Sequence, residues 1–369
     1  GLGDVYKRQI FFPGVYGMGL GTYLVRRLIT FLPSVIGALL ITYLIAYVIP
    51  TDPVRAWVGE KLMDPSTLEK LKKDYKFDAP WYEQFAFLVE KLLTGSLIDP
   101  VRGTPVVLQV AQRFPITVEL AIFGMFFTVL IGIPLGIIAA AKKDSFIDFF
   151  VRIFALLGSS IPAFVLYYFL ILVFYVYIRA SLLAGVPTLS PGCVATLENI
   201  RNTIPILGYL IWAVGQVPLF GGIICLDFSV VANTVSRMWL PGLALGLLSG
   251  GFIARIVRNS LLDALASETI LFAKARGLTS NRIWRHALKN AFAPIVTILG
   301  LDFAGLLTGA IIAETVFNIP GMGLYMYQGI TRLNFPIIIA GTFMFSIIYI
   351  VMNFLVDLIY ALIDPRVRY

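Results

Sequence analysis

The stretch "ITVELAIFGMFFTVLIGIPLGIIAAAKK", residues 116–143, decides the fold of this chain. It is predominantly apolar and carries no charged side chain between Glu119 and Lys142. An α-helix needs about 20 such residues to cross roughly 30 Å of hydrocarbon at about 1.5 Å per residue. The stretch therefore predicts a helix that spans a lipid bilayer.

The composition of the whole chain extends this interpretation. Of its 369 residues, 59% are hydrophobic and 14% are charged, and the mean hydropathy is +0.87. Soluble domains carry about 25% charged residues, so these values require several long apolar runs. Six runs are at or near the needed length, the fourth being the weakest: 28–49, 116–141, 149–178, 238–254, 291–313 and 337–362. We predict an all-α membrane protein with about six transmembrane helices.

The distribution of basic residues predicts the orientation. They gather at four places: Arg26 and Arg27, Lys142 and Lys143, the connection between the fourth and fifth runs, and Arg366 and Arg368. An even number of spans puts all four on one side, which the positive-inside rule makes cytoplasmic. Both termini are therefore predicted to be cytoplasmic. The net charge of +8 is then a topology signal, and we expect membrane lipid but no nucleic acid as a partner.

The runs divide the chain into predicted regions. Residues 1–22 form an N-terminal tail in which Met18 is a candidate start, 23–49 the first transmembrane helix, 50–115 an external subdomain, and 116–369 a core with five further transmembrane helices. Helical spacing in the subdomain predicts two short helices, Pro65–Tyr75 and Pro80–Leu93. The core includes an external segment, 179–237, and a cytoplasmic loop, 258–290.

A seventh apolar stretch, 204–226, would reverse the side of the basic loop if it crossed the membrane. It contains Pro205, Gln216, Pro218 and a Gly221-Gly222 pair. We therefore interpret it as re-entrant or surface-lying rather than as a span.

The two cysteines of the chain, Cys193 and Cys225, both fall in the external segment. An oxidising compartment there would permit a disulfide between them. The sequence does not say how far apart they lie, so two unpaired apolar side chains are the alternative.

Signatures of catalysis are absent from the sequence. It contains no G-x-x-x-x-G-K-[ST] phosphate loop, no G-x-S-x-G, no H-E-x-x-H and no Cys/His cluster with metal-ligand spacing. Gly321 and Gly323 do not complete a dinucleotide fingerprint. We predict that the chain is not an enzyme and binds no cofactor or metal of its own.

An acidic residue in the middle of a span raises the free energy of membrane insertion by about 2.5–3.5 kcal/mol, so its presence there requires an explanation. Glu119, Glu314 and Asp357 lie near the ends of their runs, where we expect easier solvation. Asp302 alone lies near the middle of a run. A proton relay would need several such groups, so hydrogen bonds to a neighbouring helix are the favoured explanation for Asp302.

The basic loop is the most informative segment. Its residues 263–290 read "DALASETILFAKARGLTSNRIWRHALKN" and place apolar side chains at helical spacing on both sides of Gly277. This pattern predicts a helix, a glycine turn and a second helix at the membrane face. Such a hairpin suits docking into a groove of another protein. A cationic loop resting on anionic lipid is the alternative, but it does not explain Gly277.

The run "FAKARGL…RHALKNAFAPIVTILGL", residues 272–301, resembles the cytoplasmic signature of a known family. "RFPITVELAIFG" from Arg113, "LPGLALG" from Leu240 and "GAIIAETVFNIPGMG" from Gly309 are similar to further blocks in the order of that family. The family is the permease subunits of ABC importers, in the dipeptide and oligopeptide branch. The resemblance covers nearly the whole chain.

This resemblance implies a type I importer permease in the cytoplasmic (inner) membrane. It implies a second, related permease, two cytoplasmic ATPase subunits that bind the ATP, and an external substrate-binding protein. It also implies that the ATPases act on a coupling segment with these residues: Ser267, Phe272, Ala273, Lys274, Ala275, Arg276, Gly277 and Leu278, followed by His286 and Asn290.

Other functions stay open at this point. Relatives with this signature handle peptides, nickel chelates, glutathione or oligosaccharides, so the substrate is not fixed. An ion-coupled secondary carrier would need paired intramembrane acids and inverted repeats, and the sequence shows neither. An intramembrane enzyme would need a nucleophile and base in facing spans, whereas the single histidine, His286, lies in the basic loop.

Overall fold

A computed structural model describes residues 20–48, 54, 64–99, 102–177, 187–204 and 206–363. Most of the predicted N-terminal tail, including Met18, lies outside these residues, as do the last residues of the chain. In the described residues the regular structure is helical, and the only β contact is one isolated bridge, Ile98 with Pro105.

The chain folds into fourteen α-helices over the described residues. In order they are α1 (Leu20–Tyr43, continued by a π-helix, Leu44–Val48), α2 (Pro65–Asp74), α3 (Trp81–Leu93), α4 (Val106–Ala141), α5 (Phe146–Ser160), α6 (Ala163–Ile171, continued by a π-helix, Leu172–Tyr177), α7 (Pro191–Thr203), α8 (Leu207–Gly215), α9 (Pro218–Ile224), α10 (Phe228–Ala266), α11 (Glu268–Ala275), α12 (Ser280–Val316), α13 (Met322–Thr331) and α14 (Phe335–Ile363). The helices α2 and α3 match the two predicted for the subdomain.

Four described helices are long and apolar enough to cross a membrane: α4, α10, α12 and α14. Helices α5 and α6 together give a fifth candidate, and α1 contributes a shorter apolar stretch, Ile29–Tyr43. All six predicted runs therefore fall on helices. The count of six crossings and the side of each terminus stay predictions.

The 149–178 run, predicted as one crossing, is not one straight helix over its described residues. The chain bends by 103° between α5 and α6. Pro162 lacks an N–H and disfavours the helical conformation of the residue before it. Ile161 is accordingly extended, with φ −76° and ψ 126°.

The centre of the molecule is the parallel packing of α4 against α10. Glycines at every fourth position of α10 face α4, and a Cβ at Gly242 or Gly246 would overlap Phe123 or Phe127. Gly250 meets Ile131 in the same way, one turn further on. Small residues at this spacing let two backbones approach closely within a membrane. We call the end where α4 meets Lys142 the basic side.

The segments between the long helices also take defined shapes. The stretch 204–226 is divided into α8, with nine residues, and α9, with seven, so neither reaches the length of a span. Residues 258–290, the predicted cytoplasmic loop, contain the expected helices on both sides of Gly277. They are almost entirely helical, because α10 continues to Ala266 and α12 begins at Ser280. Only α11 and two short turns connect these long helices.

Candidate coupling surface

Helix α11 is attached to the basic side of the helical core through one side chain. Ile270 is fully buried. It belongs to an apolar cluster that also contains Ala140, Ile253, Val257, Leu261, Ala264, Ala287, Ala291 and Ile295. These residues come from α4, α10 and α12. A displacement of α11 would therefore be transmitted through this cluster to three long helices.

The opposite face of α11 is exposed although it is partly apolar. Leu271 is 67% exposed and Phe272 is 69% exposed. Lys274, Ala275 and Arg276 are also exposed, whereas Ala273 is half-buried. A protruding aromatic residue flanked by cations is the composition expected of a surface that inserts into another protein.

A glycine cap ends α11. Gly277 has φ +73°, a conformation that side chains with a Cβ rarely adopt. Its N–H donates to the Lys274 carbonyl at 2.9 Å, and the Leu278 N–H donates to the Ala273 carbonyl at 3.2 Å. These two bonds form a Schellman motif, which satisfies carbonyls that a helix end leaves free.

The remaining predicted residues lie around this turn. Ser267 separates α10 from α11, and its hydroxyl donates to the Ala264 carbonyl at 2.6 Å. Leu278 is half-buried in the turn before α12. His286 and Asn290 are exposed on α12, four residues apart and therefore on one face. Ser267, Phe272–Leu278, His286 and Asn290, which we call the candidate coupling surface, thus share the basic side. Their buried neighbour Ile270 was not predicted.

An ion pair near this surface was also missed by sequence reasoning. The carboxylate of Asp148 is fully buried and accepts two hydrogen bonds from Arg258, at 2.5 Å to Nε and 2.8 Å to Nη2. Arg152 adds a contact at 3.3 Å. Arg258 appeared in the sequence only as one cation of the basic loop. The pair ties the first turn of α5 to α10, about two turns before the end of α10.

Two acidic residues at the other end of the molecule correct an expectation. Glu119 and Glu314, expected to be easily solvated, are both fully buried. Glu314 accepts from the Thr117 hydroxyl at 2.6 Å and from the Leu324 N–H at 2.9 Å. It thereby caps the start of α13, because anionic groups satisfy the free N–H groups of a helix N-terminus. Protein groups rather than water stabilise this carboxyl group.

The same contacts explain the glycines that follow α12. A Cβ at Gly321 would overlap the carboxylate of Glu314, and one at Gly323 would overlap the backbone of Ile311. These glycines therefore permit a close approach of the chain to α12. Nucleotide binding is not needed to account for them.

The hydrogen bond expected for the mid-span acid stays a prediction. Asp302 is half-buried on α12, and within the described residues its Oδ2 atom has no hydrogen-bond partner. Glu119 accepts from the Leu219 N–H of α9 at 2.7 Å. The side chain of Asp357 lies outside the described residues. In the described residues no group of three or more His, Cys, Asp or Glu side chains is arranged to hold a metal ion.

Cys193 and Cys225 form a disulfide with Cα atoms 5.4 Å apart. Beside it, Asp227 begins α10 and accepts from Ser190 at 2.7 Å and from Ser229 at 2.6 Å. These hydrogen bonds, led by that from Ser190, hold the pKa of Asp227 below its ordinary value. The disulfide and the Ser190 hydrogen bond thus connect the start of α7 to the residues just before α10.

Comparison with known families agrees with this architecture. Residues 132–369 match the model of a family described as "Binding-protein-dependent transport system inner membrane component". Residues 20–121 match the model of the N-terminal region of such membrane components. The first match includes the coupling surface, and the second includes α1 to α3.

Similar proteins cover almost the whole chain. The dipeptide transport system permease protein DppB of Alkalihalophilus pseudofirmus is 33% identical over 349 residues, covering 94% of this chain and 99% of the relative. DppB of Escherichia coli K12 is 32% identical, with coverages of 94% and 98%. The probable D,D-dipeptide transport system permease protein DdpB of the same strain is 34% identical, with coverages of 90% and 93%.

Proposed function

Since this chain belongs to the family of binding-protein-dependent transport system inner membrane components, we propose that it forms half of the translocation pathway of an ATP-driven importer for dipeptides or oligopeptides. A second, related permease would form the other half. Two ATPase subunits would bind ATP on the basic side, and a binding protein would deliver the substrate on the opposite side. The chain itself would hydrolyse nothing.

One observation carries this proposal: α11 joins a buried anchor to an exposed docking face. Ile270 reaches the cluster shared by α4, α10 and α12, while Phe272 and Arg276 face outwards. An ATPase that grips the exposed face would move the anchor and, with it, the long helices. The chain can therefore receive mechanical work without binding nucleotide.

Dipeptides are the favoured substrate because the relatives named above are dipeptide permeases and are alike over nearly the full length. Oligosaccharide and nickel-chelate importers of this type remain alternatives with less support. The basic side is proposed as cytoplasmic, in line with the clustering of Lys142, Lys143 and the cations around α11.

Reconstitution tests the proposal. Vesicles would contain this chain with the permease and ATPase subunits that copurify with it, and a binding protein and radiolabelled dipeptide would be added outside. We expect uptake only when ATP is enclosed with the ATPases. Uptake by the purified chain alone under an ion gradient would show a secondary carrier instead. ATP-driven uptake of a nickel chelate or oligosaccharide but not dipeptide would correct the substrate alone.

A further inference from the structure

Residues 187–204 and 206–227, which we call the disulfide cap, expose a face that neither helix packing nor the coupling surface explains. The cap contains α7, α8 and α9, closed by the Cys193–Cys225 disulfide. Its small interior contains Cys193 and the fully buried Leu197. The cap is thus a folded unit rather than a loose connection.

Helix α8 of this cap is apolar on the outside. Its two glycines, Gly208 and Gly215, are buried against α7. Its exposed side chains include Leu207, Leu210 and Val214, at 56%, 60% and 49% exposure. No charged residue occurs between Arg201 and Asp227. A helix that faced water would carry polar residues on this face.

A hydrogen bond fixes the level of the cap relative to the bilayer. The Leu219 N–H at the start of α9 donates to Glu119 of α4. At about 1.5 Å per residue, Glu119 lies roughly 35 Å along α4 from Lys142 at the basic side. Since the hydrocarbon core is about 30 Å thick, α9 begins close to the opposite boundary of the membrane.

Exposed apolar side chains also occur where the cap joins α10. Ile223 and Leu226, in the cap, are 54% and 76% exposed, and Phe228 in the first turn of α10 is 77% exposed. At the polar margin of α8, the Arg201 guanidinium lies 5.2 Å from the centre of the Trp212 ring. Tryptophan and arginine at such a margin are typical of the membrane–water interface.

We propose that α8 lies in the lipid–water interface of the leaflet opposite the coupling surface, with Leu207, Leu210 and Val214 among the acyl chains. The disulfide holds α8 in this position by closing the cap behind it. The charge-free composition, the level in the bilayer and the exposed apolar side chains at the start of α10 all identify lipid as the occupant of this face. The inference needs only membrane insertion and does not depend on the transported substrate.

Spin-label accessibility tests this placement. Leu210→Cys and Val214→Cys would each carry a nitroxide in the full chain, reconstituted with its copurifying subunits in phosphatidylcholine–phosphatidylglycerol vesicles. Asn199→Cys, on the exposed face of α7 in the same cap, is the matched control. The unsubstituted chain should take up no label, because both native thiols are in the disulfide.

We expect nitroxides at 210 and 214 to collide more with oxygen, which concentrates in lipid, than with a water-soluble nickel chelate. The order should be reversed at 199. More collisions with nickel at 210 and 214 would show a water-facing helix and overturn the proposal. Low accessibility to both reagents would show that a protein covers α8 and would overturn it equally. If Cys193 or Cys225 took up label in a variant, the disulfide would be open in that variant. Leu207→Cys would then be measured in its place.

Discussion

At the scale of a single residue, the left-handed conformation of Gly277 determines how α11 ends. Gly277→Pro would impose a φ near −65° and remove the N–H that bonds the Lys274 carbonyl. We predict loss of dipeptide uptake and of transport-linked ATPase stimulation with normal membrane insertion. Both activities would be measured in the reconstituted system and insertion by membrane fractionation.

Gly277→Ala is the matched control. A Cβ at this position meets nothing within 4 Å, so the substitution costs only the backbone strain of about 1 kcal/mol. Uptake should be largely retained. If Gly277→Pro transported normally with wild-type ATPase stimulation, the turn would have no part in coupling.

The Asp148–Arg258 pair supports a second prediction at this scale. Asp148→Ala would leave the guanidinium of Arg258 without its buried partner, and we expect a loss of about 3 kcal/mol in stability. The double variant Asp148→Ala, Arg258→Ala should lose less than the sum of the two single variants, because the guanidinium of Arg258 is removed together with its partner. Thermal unfolding in detergent would measure both effects.

Arg255→Ala serves as the control for that cycle. Arg255 lies one turn earlier on α10 and is exposed, with its guanidinium 5.6 Å from the centre of the Phe252 ring. Its removal should change the unfolding temperature little. Strict additivity of the Asp148 and Arg258 variants would contradict the predicted pairing.

At the scale of elements, the contact of Gly321 with Glu314 positions α13 against α12. Gly321→Ala would push the carboxylate away from the Leu324 N–H that it caps. We predict a loss of about 1–3 kcal/mol from overpacking and an unsatisfied buried group. Gly305→Ala, on α12 where a Cβ meets nothing within 4 Å, should be nearly neutral. Equal unfolding temperatures for the two variants would refute this role of Gly321.

The elements also show where sequence reasoning succeeded and where it failed. Hydrophobic runs and glycine stops predicted the long helices and the α11 turn, because these depend on neighbours in sequence. Prolines were less informative: Pro115, Pro134, Pro241 and Pro294 lie inside continuous helices, yet Pro162 accompanies a sharp bend. The local residue pattern did not distinguish Pro162 from these four prolines.

At the scale of the whole molecule, the motif predicted which residues form the candidate coupling surface, but it did not predict the contacts that hold them in place. The Ile270 anchor, the Arg258 partner and the Glu314 cap all depend on contacts between distant segments. Thr117 and Glu314, for example, are 197 residues apart in sequence. The clustering of basic residues predicted which end of the molecule faces the cytoplasm. That prediction concerns the whole fold and not a single contact.

That orientation yields the final prediction. If the basic side is cytoplasmic, Asn290→Cys beside the coupling helix should react with a membrane-impermeant maleimide in inside-out vesicles and not in right-side-out vesicles. Asn199→Cys in the disulfide cap should show the opposite pattern. Asn199 lies before α10 and Asn290 after it, so the single crossing by α10 places the two positions on opposite sides of the membrane. A different number of crossings before the disulfide cap would therefore reverse both results together. Labelling of Asn290→Cys from the outside would reverse the topology, and with it the side on which ATP must be supplied.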